Sequence, residues 1–223
     1  MAFRMDMHVH TAETSPCGKV PAADVVALYK QRGYDGIVIT DHYFNKFFKD
    51  KTLLTWREQM DLYLAGYRAA KAAGDALGLM VLQGMELRFK GASDDFLVYG
   101  VDEAFLMDYP RLHLLDLPTV RQIALQHKLM IVQAHPFRSP CRRANPRLLD
   151  GSEVFNGNMR HANYNIIARN WAKRNNLLMF SASDAHVRAD IGTAAMVFPR
   201  APRDMADLLG MIRAKTFKRN MGQ

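Results

Sequence analysis

Cysteine is scarce. The 223 residues hold only Cys17 and Cys141. Two thiols cannot frame a disulfide scaffold, so a reducing, cytoplasmic setting is expected. Long apolar runs are missing too. None approaches the roughly 18–20 residues of a membrane span, and Met1-Ala2-Phe3-Arg4-Met5-Asp6 lacks the apolar core of a signal peptide. No membrane association is expected. Repeats, low-complexity tracts and Pro/Gly/Ser linkers are also wanting, so residues 1–223 read as one domain with no obligatory protein partner in view. No aromatic ladder for stacked bases is evident. Acidic residues are outnumbered, 22 against 30 basic ones, leaving a net charge of +8. That excess favours an anionic partner such as a phosphorylated metabolite, a nucleic acid or a membrane surface, or else simply keeps the surface soluble. At 49% hydrophobic and 23% charged residues, wholesale disorder is excluded.

What is present is an alternation of short apolar runs and amphipathic stretches. Strands are expected over 3–10, 36–40, 79–82, 96–99, 129–132, 153–155 and 177–180. Helices are expected over 21–32, 53–77, 118–128, 161–175 and 202–215. Alternation implies parallel strands with right-handed crossovers. About seven such units suggest an α/β barrel, whose chemistry gathers where strands end.

Six of the seven strand ends carry His, Asp or Glu: Asp6-Met7-His8-Val9-His10, Thr40-Asp41-His42, Gly84-Met85-Glu86, Gly100-Val101-Asp102, Ala134-His135-Pro136 and Ser183-Asp184-Ala185-His186. Side chains at i and i+2 of a strand share a face, so His8 and His10 project together and can grip one ion. Asp184 and His186 do the same if extended, or splay to two ions if the chain turns between them. Mixed imidazole and carboxylate donors suit zinc, manganese or iron better than calcium. Five histidines exceed one tetrahedral site. Any one of these pieces alone reads as a turn, a solvated acid or ordinary packing; their joint arrival at successive strand ends does not. Asp6 and Asp41 read as groups that orient ligands. His113 and His127, away from strand ends, read as ordinary residues.

In this order, Asp-x-His-x-His-Thr, Thr-Asp-His, Gly-x-Glu, Ala-His-Pro and Ser-Asp-Ala-His resemble the PHP (polymerase and histidinol phosphatase) family over residues 6–186. The resemblance implies a distorted seven-stranded (β/α)7 barrel and a centre of two or three divalent ions (Zn, Mn or Fe) that hydrolyses phosphoesters. By motif, His8, His10, Glu86 and Asp184 would hold a first ion. Glu86 would bridge to a second, bound also by His135, and His42 and His186 would bind a third. Where some members carry another ligand this chain reads Asp102, and no histidine or aspartate follows His-x-His at the usual place, leaving Cys17 as a possible thiolate donor.

Ser15-Pro16-Cys17 recurs as Ser139-Pro140-Cys141. Arg138, Arg142, Arg143 and Arg147 cluster just after His135, and guanidinium grips phosphate oxygens bidentately. Arg138 is the first expected phosphate contact, followed by Arg88 and Arg143. Asn156, Arg160 and His161 either line the mouth or belong to turns and surface. The expected reaction is hydrolysis of a small phosphomonoester (a histidinol-phosphate-like compound, a sugar phosphate or a nucleotide) by a metal-bound water, with His42 and His186 as candidate proton donors. Alternatives are 5′–3′ trimming of a short oligonucleotide or a nucleoside bisphosphate, amide hydrolysis on a related metal barrel, and a non-catalytic metal-containing binding module.

Overall fold

The computed structural model describes residues 2–220. Its strands are β1 (Phe3–Val9), β2 (Gly36–Ile39), β3 (His42–Tyr43), β4 (Met80–Arg88), β5 (Asp95–Tyr99), β6 (Met130–Gln133), β7 (Gly151–Asn156), β8 (Leu178–Ala182), β9 (Ala195–Phe198) and β10 (Lys218–Asn220). The helices are α1 (Ala22–Gln31), α2 (Asn45–Phe48), α3 (Trp56–Tyr63), α4 (Ala65–Leu77), α5 (Glu103–Asp108), α6 (Leu117–Gln126), α7 (Asn165–Arg174) and α8 (Met205–Arg213). All seven expected strands form. Among the described residues no helix is long and apolar enough to cross a membrane.

The sheet nevertheless departs from a seven-stranded parallel barrel. Its order is β10-β9-β1-β2-β4-β5-β6-β7-β8, with β3 beside β4. β5 runs antiparallel to both β4 and β6, and β9 runs antiparallel to β1 and β10. The cause is the short link 89–94, because a parallel crossover needs a dozen or more residues. β5 therefore turns straight back, pairing Asp95 with Arg88. The sheet still nearly closes. Val9 bridges Ala185 in parallel, and His10 N donates to Ala185 O at 3.1 Å.

A shift of register in β1 between Asp6 and Val9 decides where the histidines point. Met5 and Met7 enter the interior beside Tyr99 and Phe180, while Asp6 turns out to accept from the Tyr29 hydroxyl of α1 at 2.8 Å. Strict alternation would send His8 outward with Asp6. The bulge resets the phase, so His8 and His10 face the barrel end while Val9 joins the outer cluster with Val25, Val26 and Ile37. α8 seals the opposite end, with Leu208, Leu209 and Ile212 packed on Met7-side interior residues.

A further expectation is corrected. The stretch 53–77 is not one helix. α3 starts with a Thr55–Glu58 capping box, the chain bends at Leu64, and α4 follows. The bend brings Gly66 against the β1 and β2 loops, where an added Cβ would lie 1.9 Å from Thr11 Oγ1 and 2.8 Å from Asp41 Oδ2. Lys218 and Arg219, beyond the last expected element, belong to a further strand, β10, paired with β9. A short, charged strand is a common way to end a sheet without inviting further pairing.

Gly66→Ala should therefore lower stability despite alanine's better helix propensity. Overpacking costs about 1–3 kcal/mol against a propensity gain of about 1 kcal/mol, and the buried Thr11–Asp41 hydrogen bond is disturbed as well. Urea denaturation should show a net loss on the order of 2 kcal/mol.

Candidate metal centre

At the end of the barrel where β1, β2, β4, β6, β7 and β8 finish, His8 Nε2 and His10 Nε2 stand 3.0 Å apart. Glu86 places Oε1 3.4 Å from the first and Oε2 3.4 Å from the second. Asp184 Oδ1 lies 3.4 and 3.5 Å from the same two nitrogens. All four residues are buried. Ligands held at about 2.0–2.2 Å around a tetrahedral ion are roughly 3.3–3.5 Å from one another. Among the described residues Glu86 Oε2, Asp184 Oδ1 and His42 Nδ1 are buried without a hydrogen-bond partner. Orphaned donors at ligand spacing fit a divalent cation, which supplies the missing partner.

Glu86 is the hub. Oε1 also lies 3.2 Å from His135 Nε2, and Oε2 lies 2.7 Å from His42 Nδ1. One carboxylate thus faces four imidazoles, as a ligand bridging two ions does. The outer nitrogens of three rings are held: His8 Nδ1 is 2.8 Å from Glu153 Oε1, His10 Nδ1 is 3.0 Å from Ser15 Oγ, and His186 Nδ1 is 3.0 Å from Asp184 O. Such partners fix the tautomer and leave Nε2 for the cavity. Asp184 and His135 have left-handed backbones, φ 53° and 28°. The turn at Asp184 keeps its side chain beside that of His186, with Asp184 Oδ1 3.2 Å from His186 Nδ1. The same oxygen faces His8 and His10, and the His186 ring lies tilted against the His10 ring with centroids 4.1 Å apart.

Close packing of imidazoles and carboxylates shifts their titration strongly. Burial alone would lower the pKa of His8 and His42, but Glu153, Asp184 and Glu86 around His8, and Glu86 beside His42, raise both well above the usual range. Burial likewise opposes protonation of His135 and His186, yet hydrogen bonds donated to Cys141 and Glu86 raise the first to about 10, and those donated to Asp184 and Cys17 raise the second to about 9. His10 goes the other way, lowered by burial and by the neighbouring His186 and His42. Burial would raise Glu86 and Asp184, but the imidazoles hold both well below the carboxylate range.

A cavity of about 260 Å³ opens over this cluster, lined by Arg88, Arg138, Arg160, His161 and both cysteines. Arg138 Nη2 donates to Asp184 Oδ2 at 2.6 Å and Asn156 Oδ1 at 3.0 Å, and Nε donates to Asn163 Oδ1 at 2.8 Å. Arg88 pairs bidentately with Asp95 at 2.6 Å. Asn156 is buried, and its amide donates to Glu153 at 3.0 Å, so it braces the wall. Asp41 accepts from Thr11 N, Thr11 Oγ1 and Ser15 Oγ at 2.6–2.8 Å, holding the loops that carry His10 and His42.

Two expected residues lie elsewhere. Asp102 is exposed and caps α5, accepting from Phe105 N at 2.8 Å. Because β5 is antiparallel, its start rather than its end reaches the site, and the buried carboxylate there is Asp95, 3.8 Å from His135 Nε2. Arg143 is exposed with its guanidinium 5.4 Å over Phe137, outside the cavity lining; Arg160, paired with Asp190 at 2.9 Å, lines the mouth instead. Asp95 and Glu153 escaped sequence reasoning. The short 89–94 link signalled the first, by forcing a hairpin. Only tertiary packing reveals the second.

Residues 162–217, which include Asp184 and His186, match the family model described as PHP-associated. No curated protein matches the chain. Among solved structures, a two-domain protein from Bacteroides vulgatus containing a predicted PHP-like metal-dependent phosphoesterase superposes with a TM-score of 0.71 at 16% identity, over 100% of this chain and 65% of its own. The chain thus spans less than two thirds of that protein's length. PsfC from Pseudomonas syringae gives 0.68 at 20% identity, covering 93% of this chain and 87% of its own. An amidohydrolase from Chromobacterium violaceum, with bound sulfate and no metal, gives 0.59 at 16% identity, covering 96% and 97%. These likenesses show a shared fold.

Three outcomes are expected. Glu86→Gln and His8→Ala should each lose bound metal, read by elemental analysis, while far-ultraviolet circular dichroism stays unchanged. Asp95→Asn should lower metal content, whereas Asp102→Ala should leave it intact and cost about 1 kcal/mol of stability through the lost cap. Because His135 and His186 are raised to about 10 and about 9 in the metal-free protein, ions must displace their protons. Titration calorimetry in buffers of different ionisation enthalpy should therefore show proton release at neutral pH, and affinity that climbs as pH rises toward about 9.

Proposed function

We propose that the protein is a metal-dependent phosphoesterase that hydrolyses a phosphomonoester of a small molecule. The observation that carries this reading is a carboxylate facing four imidazoles at the floor of a cavity walled by arginine. His8, His10, Glu86 and Asp184 would hold one ion. Glu86 and His135, with Asp95 nearby, would hold a second, and His42 and His186 would serve a third. Bound divalent ions make a water acidic enough to attack at neutral pH and offset negative charge on phosphoryl oxygens.

The chain's own groups do the rest. Arg138 is pinned by Asn156, Asn163 and Asp184, so its guanidinium meets a phosphoryl group without reorganising. Glu153 locks the His8 ring. Arg160 and His161 stand at the mouth, where a substrate's remaining groups pass. With His42 and His186 both committed to the third ion, the leaving oxygen would take its proton from solvent at the cavity mouth. The cavity, about 260 Å³, falls just under the roughly 300–1,000 Å³ of ordinary ligand pockets, which supports a compact substrate over a nucleic-acid strand. Arg160 at the mouth favours one second reading, a substrate with a further phosphate such as a nucleoside bisphosphate or a short oligonucleotide 5′ end.

A panel of phosphomonoesters, phosphodiesters, oligonucleotides and amides, assayed with metal-reconstituted protein, tests the reading. Hydrolysis of monoesters alone is expected. Activity confined to oligonucleotides would favour the second reading, and inactivity on every ester with metal bound would refute both. Arg138→Gln should cut kcat/KM by about 100-fold, in the range for losing one charge-stabilising donor.

A further inference from the structure

Three imidazoles gather on the β1–β3 side of the cluster. His10 and His186 lie 4.1 Å apart by ring centroid, His10 and His42 4.5 Å, and His42 and His186 5.7 Å. One ligating nitrogen from each falls within 4.8 Å of the others. His10 Nε2 already faces Glu86 and Asp184. His42 and His186 remain, both more than nine-tenths buried, and His42 Nδ1 has no hydrogen-bond partner. Two imidazoles are half of a tetrahedral donor set.

The loop between β1 and α1 is built to add a sulfur. Ser15 Oγ accepts from His42 N at 3.0 Å and donates to Asp41 at 2.6 Å, while Lys19 N donates to His186 O at 2.8 Å. One end of the Ser15–Lys19 turn is thus tied to His42 and the other to His186. Gly18 N donates to Ser15 O at 2.9 Å, and a Cβ at Gly18 would sit 2.5 Å from Thr11 O, so the turn is closed tightly on itself. Cys17 lies within this turn and lines the cavity together with His42 and His186.

We infer that Cys17 is a metal ligand, forming with His42 and His186 a two-nitrogen, one-sulfur position separate from that bounded by His8, His10, Glu86 and Asp184. The inference rests on the metal-centre reading above and specifies which ion the third position takes. Binding exchanges the S–H bond for a sulfur–metal bond and gives the proton to solvent. A thiolate donor favours zinc, cobalt or ferrous iron over manganese or magnesium. Cys141 is placed differently. Its Sγ lies 3.6 Å from Nδ1 of His135, whose Nε2 faces Glu86, and 3.2 Å from Ser93 O. With Asp95 and His135 it forms a separate donor group, on the far side of Glu86 from Cys17, so the test must tell the two thiols apart.

Cobalt(II) loading of the full chain tests this, because a cobalt–thiolate bond adds a near-ultraviolet charge-transfer band that nitrogen and oxygen ligands do not give. The band is expected in the native protein and in Cys141→Ser. It should vanish in Cys17→Ser, with one fewer cobalt bound per chain, and Cys17→His should restore the ion without the band. Cobalt uptake without the band in the native protein, or a band that survives Cys17→Ser, would overturn the inference while leaving the metal centre standing. Failure to bind cobalt at all would overturn both.

Discussion

A single buried carboxylate organises this protein. Glu86 has no solvent exposure, and four imidazoles from three parts of the chain converge on its two oxygens. A charge in such a place is tolerable only when opposite charge surrounds it, supplied by protonated imidazoles or by cations. The sheet's near-closure, the braced loops and the arginine wall all serve to bring those partners within reach and keep water out.

Local departures from regularity aim the side chains. The β1 bulge puts His8 and His10 on the interior face, and left-handed residues at His135 and Asp184 turn their side chains back over the barrel end. A non-glycine residue held there costs on the order of 1–3 kcal/mol. The surroundings over-determine it: His135 N donates to Glu153 Oε2 at 2.8 Å, and Asp184 accepts from Arg138, Asn156 and Asn158. Glu153 thereby joins the backbone of one turn to the ring of His8, coupling β1, β6 and β7 in one buried network.

Much of this was legible in the chain itself. The β-branched run Gly36-Ile37-Val38-Ile39 and its fellows announce strands because buried strands must be apolar on both faces, and acids and histidines just past them stand out against that background. What stayed hidden followed from strand direction and side-chain neighbours. A strand read as parallel offers its last residue to the site, and Asp102 looked like that residue. Run backwards, the same strand offers Asp95 and frees Asp102 to cap a helix. Arg143 and Arg160 traded places for a similar reason: proximity to His135 in sequence says nothing about which side of a turn faces inward.

By itself the sequence determined the alternation of strands and helices and the kinds of donor available, since apolar periodicity and residue chemistry are local properties. Only the tertiary structure decided the direction of β5, the phase of β1 and which carboxylates and guanidinium groups meet the imidazoles. Those outcomes depend on link length, a bulge and hydrogen bonds between residues more than a hundred positions apart, such as His8 and Glu153, and no local pattern encodes them.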